Sequence, residues 1–359
     1  MAGQIQESRN LDLLRATAVS CVLVAHLILT LMAIGPLFGP AHEVQLARLF
    51  FATANVGVLL FFVHTSLVLL LSLERTPSRS LFLNFYIRRV FRIYPLSTLC
   101  IVVALLLRVP YVPNAAFVEP GWRAILSNLL LVQNLTHSQD IISVLWTLPR
   151  EIQMYAMLPV IFVLRRRFGS TPLVLGLWWI AAIVAPHVSL LEYVPCFMGG
   201  VLAYQISKEK TYGLPGFLWP TALAALIGAR LWLSQTIFDS YAPDFMFCML
   251  VGGLIPHFRD ITTSWLAGVC RVIARYSYGI YLFHVPVIWL AFVKLHALPA
   301  SFRWTLFGVL TCAVPWIVFT FLEAPLIEIG RRIARSLTSP GETVVPKISD
   351  AERAVLSSR

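Results

Sequence analysis

Apolar runs of roughly twenty residues recur along the whole chain, separated by short polar stretches, and a run of that length is what an α-helix needs to cross a bilayer. Taken in order they fall at about residues 11–34, 48–73, 93–108, 140–164, 172–187, 190–206, 215–235, 243–257, 276–293 and 304–326. The pattern predicts an all-α polytopic membrane protein of about ten transmembrane helices. The first run is too long for the core of a signal peptide and lacks a small-residue cleavage pattern, so it is expected to stay as an anchor. Residues 109–139, with Pro110, Pro113 and Pro120, form the longest external connection, and Trp122 to Leu135 has a helical period suited to lying in the interface. The predicted organisation is a transmembrane domain over residues 1–335 and a polar, disordered cytoplasmic tail over 336–359.

Composition agrees with this picture. The chain is 58% hydrophobic and 13% charged, where soluble domains carry about 25% charged residues. A net charge of +11 would suggest a nucleic-acid partner in a soluble protein, but here the basic residues collect in alternate loops. Arg75, Arg79, Arg88, Arg89 and Arg92 precede the third run, Arg165 to Arg167 follow the fourth, and Lys208 and Lys210 follow the sixth. Arg259, Arg271 and Arg275 precede the ninth run, and Arg331, Arg332 and Arg335 follow the tenth. By the positive-inside rule both termini are expected in the cytoplasm, with the chain in the cytoplasmic (inner) membrane, the lipid bilayer as its solvent and no nucleic acid as partner. The six cysteines show no CxxC spacing and read as small core residues, with no metal site implied.

Against this apolar background a few polar groups are conspicuous. Arg15 and His26 share the first run; eleven residues apart at about 100° per residue, they return to within about 20° of the same face and lie about 16 Å apart along the axis. Ionisable groups inside the membrane are costly, so two on one stripe predict a polar cavity beside this helix. In the fourth run Pro149 is expected to interrupt the helix, followed by Arg150, Glu151, Gln153 and Tyr155. Counting residues from the cytoplasmic ends puts Glu151 and His26 at matching depth, roughly 20 Å in; the plainer reading pairs Arg150 and Glu151 with each other or with a neighbouring helix. His64 and Thr65 at the centre of the second run suit helix packing as well as a ligand. Arg88, Arg89 and Arg92, among Phe85 and Phe91, suit an interfacial anchor or a polyanion site. His284, with Pro286 loosening the helix beside it, and Glu323, near the cytoplasmic surface, each have a structural alternative: a satisfied core residue and a partner for a loop arginine.

Several segments together resemble the acyltransferase-3 family of integral-membrane enzymes, which O-acylate sugars and other acceptors. They are LDLLRATAV with His26, LLFFVHTS, RRVFRIYPL, LWTLPREIQMYAMLP, YSYGIYLFHVPV and FLEAPL, in the family's order over residues 10 to about 330. Leu13 stands where a glycine is usual, Thr65-Ser66 replaces a Ser-Gly pair, and Arg150 and Ile152 flank Glu151 in place of a small or apolar residue and a second Glu.

The resemblance implies transfer of an acyl group, acetyl above all, from cytoplasmic acyl-CoA to a hydroxyl of a cell-surface glycan or glycolipid precursor. Acyl-CoA would be a co-substrate, with no permanently bound cofactor and no metal. Arg88, Arg89 and Arg92 would neutralise the donor's phosphates, with Arg15 one step deeper. His26 would act as general base with Glu151 orienting it, and Gln153, Tyr155, His284 and Glu323 would support the site or its oxyanion. Direct transfer is expected, because no serine or cysteine sits one turn from His26 on its stripe. Two other readings share these residues: O-acylation of a small hydroxylated metabolite such as a macrolide, and a proton-coupled transporter with a histidine and carboxylate relay.

Overall fold

The computed structural model describes residues 8–35, 39–75, 81–209, 213–237 and 240–338. Arg79, Lys210 and the tail beyond Thr338 lie outside them. The described chain is helical throughout, with a single isolated β-bridge between Leu214 and Phe258. We number the α-helices α1 (Arg9–Ile34), α2 (Pro40–Glu74), α3 (Leu81–Leu107), α4 (Trp122–Leu129), α5 (Thr147–Phe168) and α6 (Thr171–Val184). They continue as α7 (Val194–Ile206), α8 (Leu218–Leu233), α9 (Ala242–Leu254), α10 (Ser264–Ile288), α11 (Ala300–Val318) and α12 (Ala324–Thr338). Each of the ten apolar runs carries a helix. Five helical stretches, Arg9–Ile34, His42–Glu74, Leu81–Leu107, Ser264–Lys294 and Ala300–Leu337, are long and apolar enough to cross a membrane. Thr171–His187, Leu218–Leu233 and Ala242–His257 are apolar but shorter.

α2 is the axis of the assembly. Pro40 opens it, where the missing N–H has no partner to lose, and Val56, Leu59, Leu60, Val63 and Leu70 along it are fully buried. Lipid tails are as apolar as leucine, so such a helix is held by close packing and hydrogen bonds rather than by hydrophobic burial. At Gly57 a Cβ would stand 2.5 Å from the Ala18 carbonyl oxygen, so α1 and α2 approach as closely as backbones allow. Gly199 and Gly252 bring α7 and α9 together in the same way. Ser66 ties α2 to α7 by donating to the Phe197 carbonyl at 2.7 Å, and a buried ion pair, Arg230 to Asp244 at 2.5 Å, with Asn55 donating to Asp244 at 2.9 Å, joins α8, α9 and α2.

The start of α1 is fastened to a distant part of the chain. Asn10 donates to the carbonyls of Phe258 at 3.3 Å and Arg259 at 3.0 Å, and accepts from the Ile261 N–H at 3.2 Å. Ser8 donates to Asp260 at 2.5 Å. These bonds set the height and rotation of α1 against α10.

Two sequence expectations change here. The interfacial helix ends at Leu129 rather than Leu135, because Leu131 takes a left-handed backbone at φ 56° and Asn128 spends its side chain on the returning strand of loop. It donates to Gln139 at 2.9 Å and accepts from the Ile141 N–H at 3.1 Å. Pro149 does not interrupt a helix: a 3₁₀ turn, Ser143–Trp146, leads into α5 at Thr147, and Pro149 sits in the first turn, where no intrahelical donor is required. The loosening expected at Pro286 is present one step later, as a π-helical turn over Trp289–Lys294, and a second one, Phe319–Glu323, follows Pro315.

Candidate functional site

α1, α2, α3, α5 and α10 converge on one cavity enclosing about 750 Å³. Its ionisable lining is Arg15 from α1, His64 from α2, Arg89 and Arg92 from α3, and Glu151 and Tyr155 from α5. Spacing explains the selection. Arg89 and Arg92 are three residues apart and Glu151 and Tyr155 four, so each pair shares a helix face. The Tyr155 hydroxyl donates to a Glu151 carboxylate oxygen. On α10 the lining residues Ser277, Tyr278 and Tyr281 close the wall: Tyr278 donates to the Ile93 carbonyl at 3.1 Å, and Tyr281 donates to the Val144 carbonyl at 3.0 Å and lies 2.7 Å from the Thr147 hydroxyl.

The charge in this cavity does not balance. Three guanidinium groups face one carboxylate, and among the described residues none of Arg15, Arg89 or Arg92 closes an ion pair. The lining residues taken alone carry an excess of two positive charges. Low-dielectric surroundings make such an excess expensive unless an anion enters. Glu323, 5% exposed, is not among the lining residues but lies within the field of Arg92 and Arg15 and so offsets part of that excess, and one of its oxygens has no hydrogen-bond partner.

Above the arginines the polar stripe continues as a pair of histidines. α10 carries Ser277, Tyr281 and His284 at i, i+4 and i+7, one face of the helix. The His284 ring lies 6.0 Å from the Tyr281 ring and 5.0 Å from the His26 ring, edge-on at 66° to the latter. His26 Nδ1 is 2.9 Å from the Val22 carbonyl and His284 Nδ1 is 3.1 Å from the Ile280 carbonyl. A carbonyl oxygen only accepts, so each Nδ1 carries the proton and each neutral ring keeps its lone pair on Nε2. The Nε2 of His284 is buried with no partner.

The structure thus gathers Arg15, Arg89, Arg92, Glu151 and Tyr155 in one cavity and places His26 with His284. It does not bring Glu151 to His26: the hydrogen-bond partner of that carboxylate is Tyr155, and the aromatic neighbour of His26 is His284. Arg88, one residue from Arg89 and so about 100° around α3, lies outside the cavity lining and in the field of Arg331 and Arg335 on α12. Gln153, two residues from Glu151 and about 200° around α5, lines a separate cavity with Arg150. Arg150 pairs with Glu192 at 2.9 Å, so Glu151 is left to the arginines. The sequence left His64 open between packing and a ligand role and did not single out Tyr278 or Tyr281, all three of which line the cavity. For His64 the signal was an imidazole in mid-helix; for the tyrosines it was their spacing from His284. Among the described residues no cluster of His, Cys, Asp or Glu is set to hold a metal, and the six cysteines are unpaired.

The acyltransferase-3 family model, described as an acyltransferase domain, matches residues 8–320. No curated protein and no solved structure matches the chain.

Proposed function

Because the chain belongs to this family of membrane acyltransferases over residues 8–320, and so is a multi-pass integral membrane protein, we propose that it is an O-acyltransferase moving an acetyl group from cytoplasmic acetyl-CoA to a hydroxyl of a cell-surface glycan or glycolipid precursor. The observation that supports this reading is the cavity whose three arginines outnumber its one carboxylate. Coenzyme A is a polyphosphate, and guanidinium groups bind phosphate in bidentate fashion. In this reading Arg89 and Arg92 take the phosphates and Arg15 the next polar group along the arm. About ten spans with both termini cytoplasmic, in the inner membrane, put that mouth on the side where the donor is found.

The thioester then reaches the histidine pair past Tyr281. His26 Nε2 takes the proton from the acceptor hydroxyl as its oxygen bonds to the thioester carbonyl carbon. The tetrahedral intermediate collapses with cleavage of the carbon–sulfur bond, and the proton held on His26 passes to the departing thiolate, giving the ester and free coenzyme A. Glu151, held by Tyr155, balances the arginines at the donor site rather than orienting His26. That role replaces the direct partnership expected from matching depth. Arg88, Gln153 and Glu323 have no part in the transfer itself.

The test is purified protein with acetyl-CoA and candidate acceptors, read as free thiol release and as acceptor mass, alongside glycan and metabolite masses from a deletion strain and its parent. The expected result is acceptor-dependent thiol release and one acyl unit missing from the deletion strain's surface glycan. Thiol release with no hydroxyl acceptor requirement would overturn the reading, and an acyl unit missing from a small metabolite instead would move the acceptor class.

A further inference from the structure

The far face of α5 carries a second cavity that the transfer reading does not use. It encloses about 570 Å³ between α5 and the start of α7, with Arg150, Gln153, Tyr193 and Phe197 among its lining. Arg150 is already committed: one terminal nitrogen donates to the Trp146 carbonyl at 2.8 Å, the other to Glu192 at 2.9 Å, and the guanidinium lies 5.1 Å from the Tyr193 ring centre. Its Nε has no partner. Gln153 is the unusual member, because both its amide oxygen and its amide nitrogen are buried and neither makes a hydrogen bond.

Buried polar atoms are almost always paired, and an amide that fails on both ends, in a wall where the charged group, Arg150, is already committed and the rest is aromatic, aliphatic or thioether, is built to meet something. The missing partner must offer an acceptor and a donor together. Its surroundings say where it comes from. Gln153 is twelve residues from Arg165, about 18 Å along the helix axis and well inside the span. Ala156 on α5 and Leu190 in the 3₁₀ turn Ser189–Leu191 before α7 are both in the lining and exposed, so the cavity has an open side, and at Ala156, inside the span of α5, that side faces lipid.

We propose that this lateral cavity binds a membrane-borne amphiphile whose alkyl chain begins at a hydroxyl or amide, with Gln153 reading that group and Tyr193 and Phe197 packing on the chain. The inference is independent of the acyl-transfer reading, and its test uses no turnover. The probes are three photoactivatable alkyl chains of equal length ending in a hydroxyl, an N-methyl amide or a methyl group, applied to the purified full-length protein in detergent, with labelled peptides located by mass spectrometry.

The expected result is labelling of α5 and α7 around this cavity by the hydroxyl or the amide probe at least fivefold above the methyl-capped one. Gln153→Leu, of nearly the same shape, should lower it to the methyl-capped level. The ratio between hydroxyl and amide probes assigns the head group. Equal labelling by all three probes, or full labelling of Gln153→Leu, would overturn the proposal. Ala156→Phe guards against loss of folding in that variant, since it keeps the amide and blocks the exposed opening. It should also abolish labelling, and unchanged labelling there would count equally against the site.

Discussion

The arginine cavity and the histidine pair share two helices, α1 and α10, yet they are opposite in character. The cavity, where α1 and α10 meet α2, α3 and α5, is crowded with charge and has more cations than anions. Further along the same two helices the pair holds two imidazoles whose Nδ1 protons are spent on backbone carbonyls 2.9 and 3.1 Å away. A charged mouth suits holding a polyanion, and a lone-pair-bearing pair suits taking a proton. On the proposed function, the difference assigns binding and proton transfer to two separate places rather than to one pocket.

The sharpest way to break that division is His26→Ala. Loss of the base should lower kcat by about 10³-fold, within the usual range for general-base catalysis, while KM for acetyl-CoA stays within twofold; a large rise in KM would put His26 among the binding groups. Next comes the mouth. Arg89→Ala and Arg92→Ala should each raise KM for acetyl-CoA by about 10- to 100-fold, the worth of a charged hydrogen bond, with kcat little changed. Lost turnover at unchanged donor affinity would reverse the assignment. His284→Phe keeps an aromatic edge against His26 but removes the free lone pair. It should cost about tenfold in kcat and alter the pH dependence of kcat without touching KM. Tyr155→Phe removes one hydrogen bond to Glu151 and should raise KM a few-fold; a kcat effect as large as that of His26→Ala would bring Glu151 back into the chemistry.

Much of this was legible from residue spacing. Helices over the ten apolar runs and a cavity beside α1 at Arg15 follow from periods of 3.6 and from the cost of charge in lipid, whereas His26, placed on the same stripe by spacing, lies outside the lining of that cavity. What spacing measures is height. Glu151 and His26 were matched in depth by counting residues, but counting carries no information about which way a helix turns its face, and α5 turns Glu151 toward the arginines. The same ignorance placed Gln153 beside Glu151 when the helix separates them by more than half a turn. Arg150 was expected to pair with Glu151 or with a neighbouring helix, and spacing could not say which distant residue it would meet; its partner, Glu192, is 42 residues away. His64 was noticed but left ambiguous, because a histidine among leucines looks alike whether it faces packing or space.

The fastening of the first helix carries a consequence for how the protein is made. The groups that receive Ser8 and Asn10 lie some 250 positions downstream, the Ser8 bond spanning 252 residues, and ribosomes add about 5–20 residues per second. The leading helix therefore waits in the bilayer for roughly 10 to 50 s before its docking partners emerge. Until then only the α2, α3 and α5 walls of the cavity around Arg15 can assemble, and the α10 wall, Ser277, Tyr278 and Tyr281, is added near the end of synthesis.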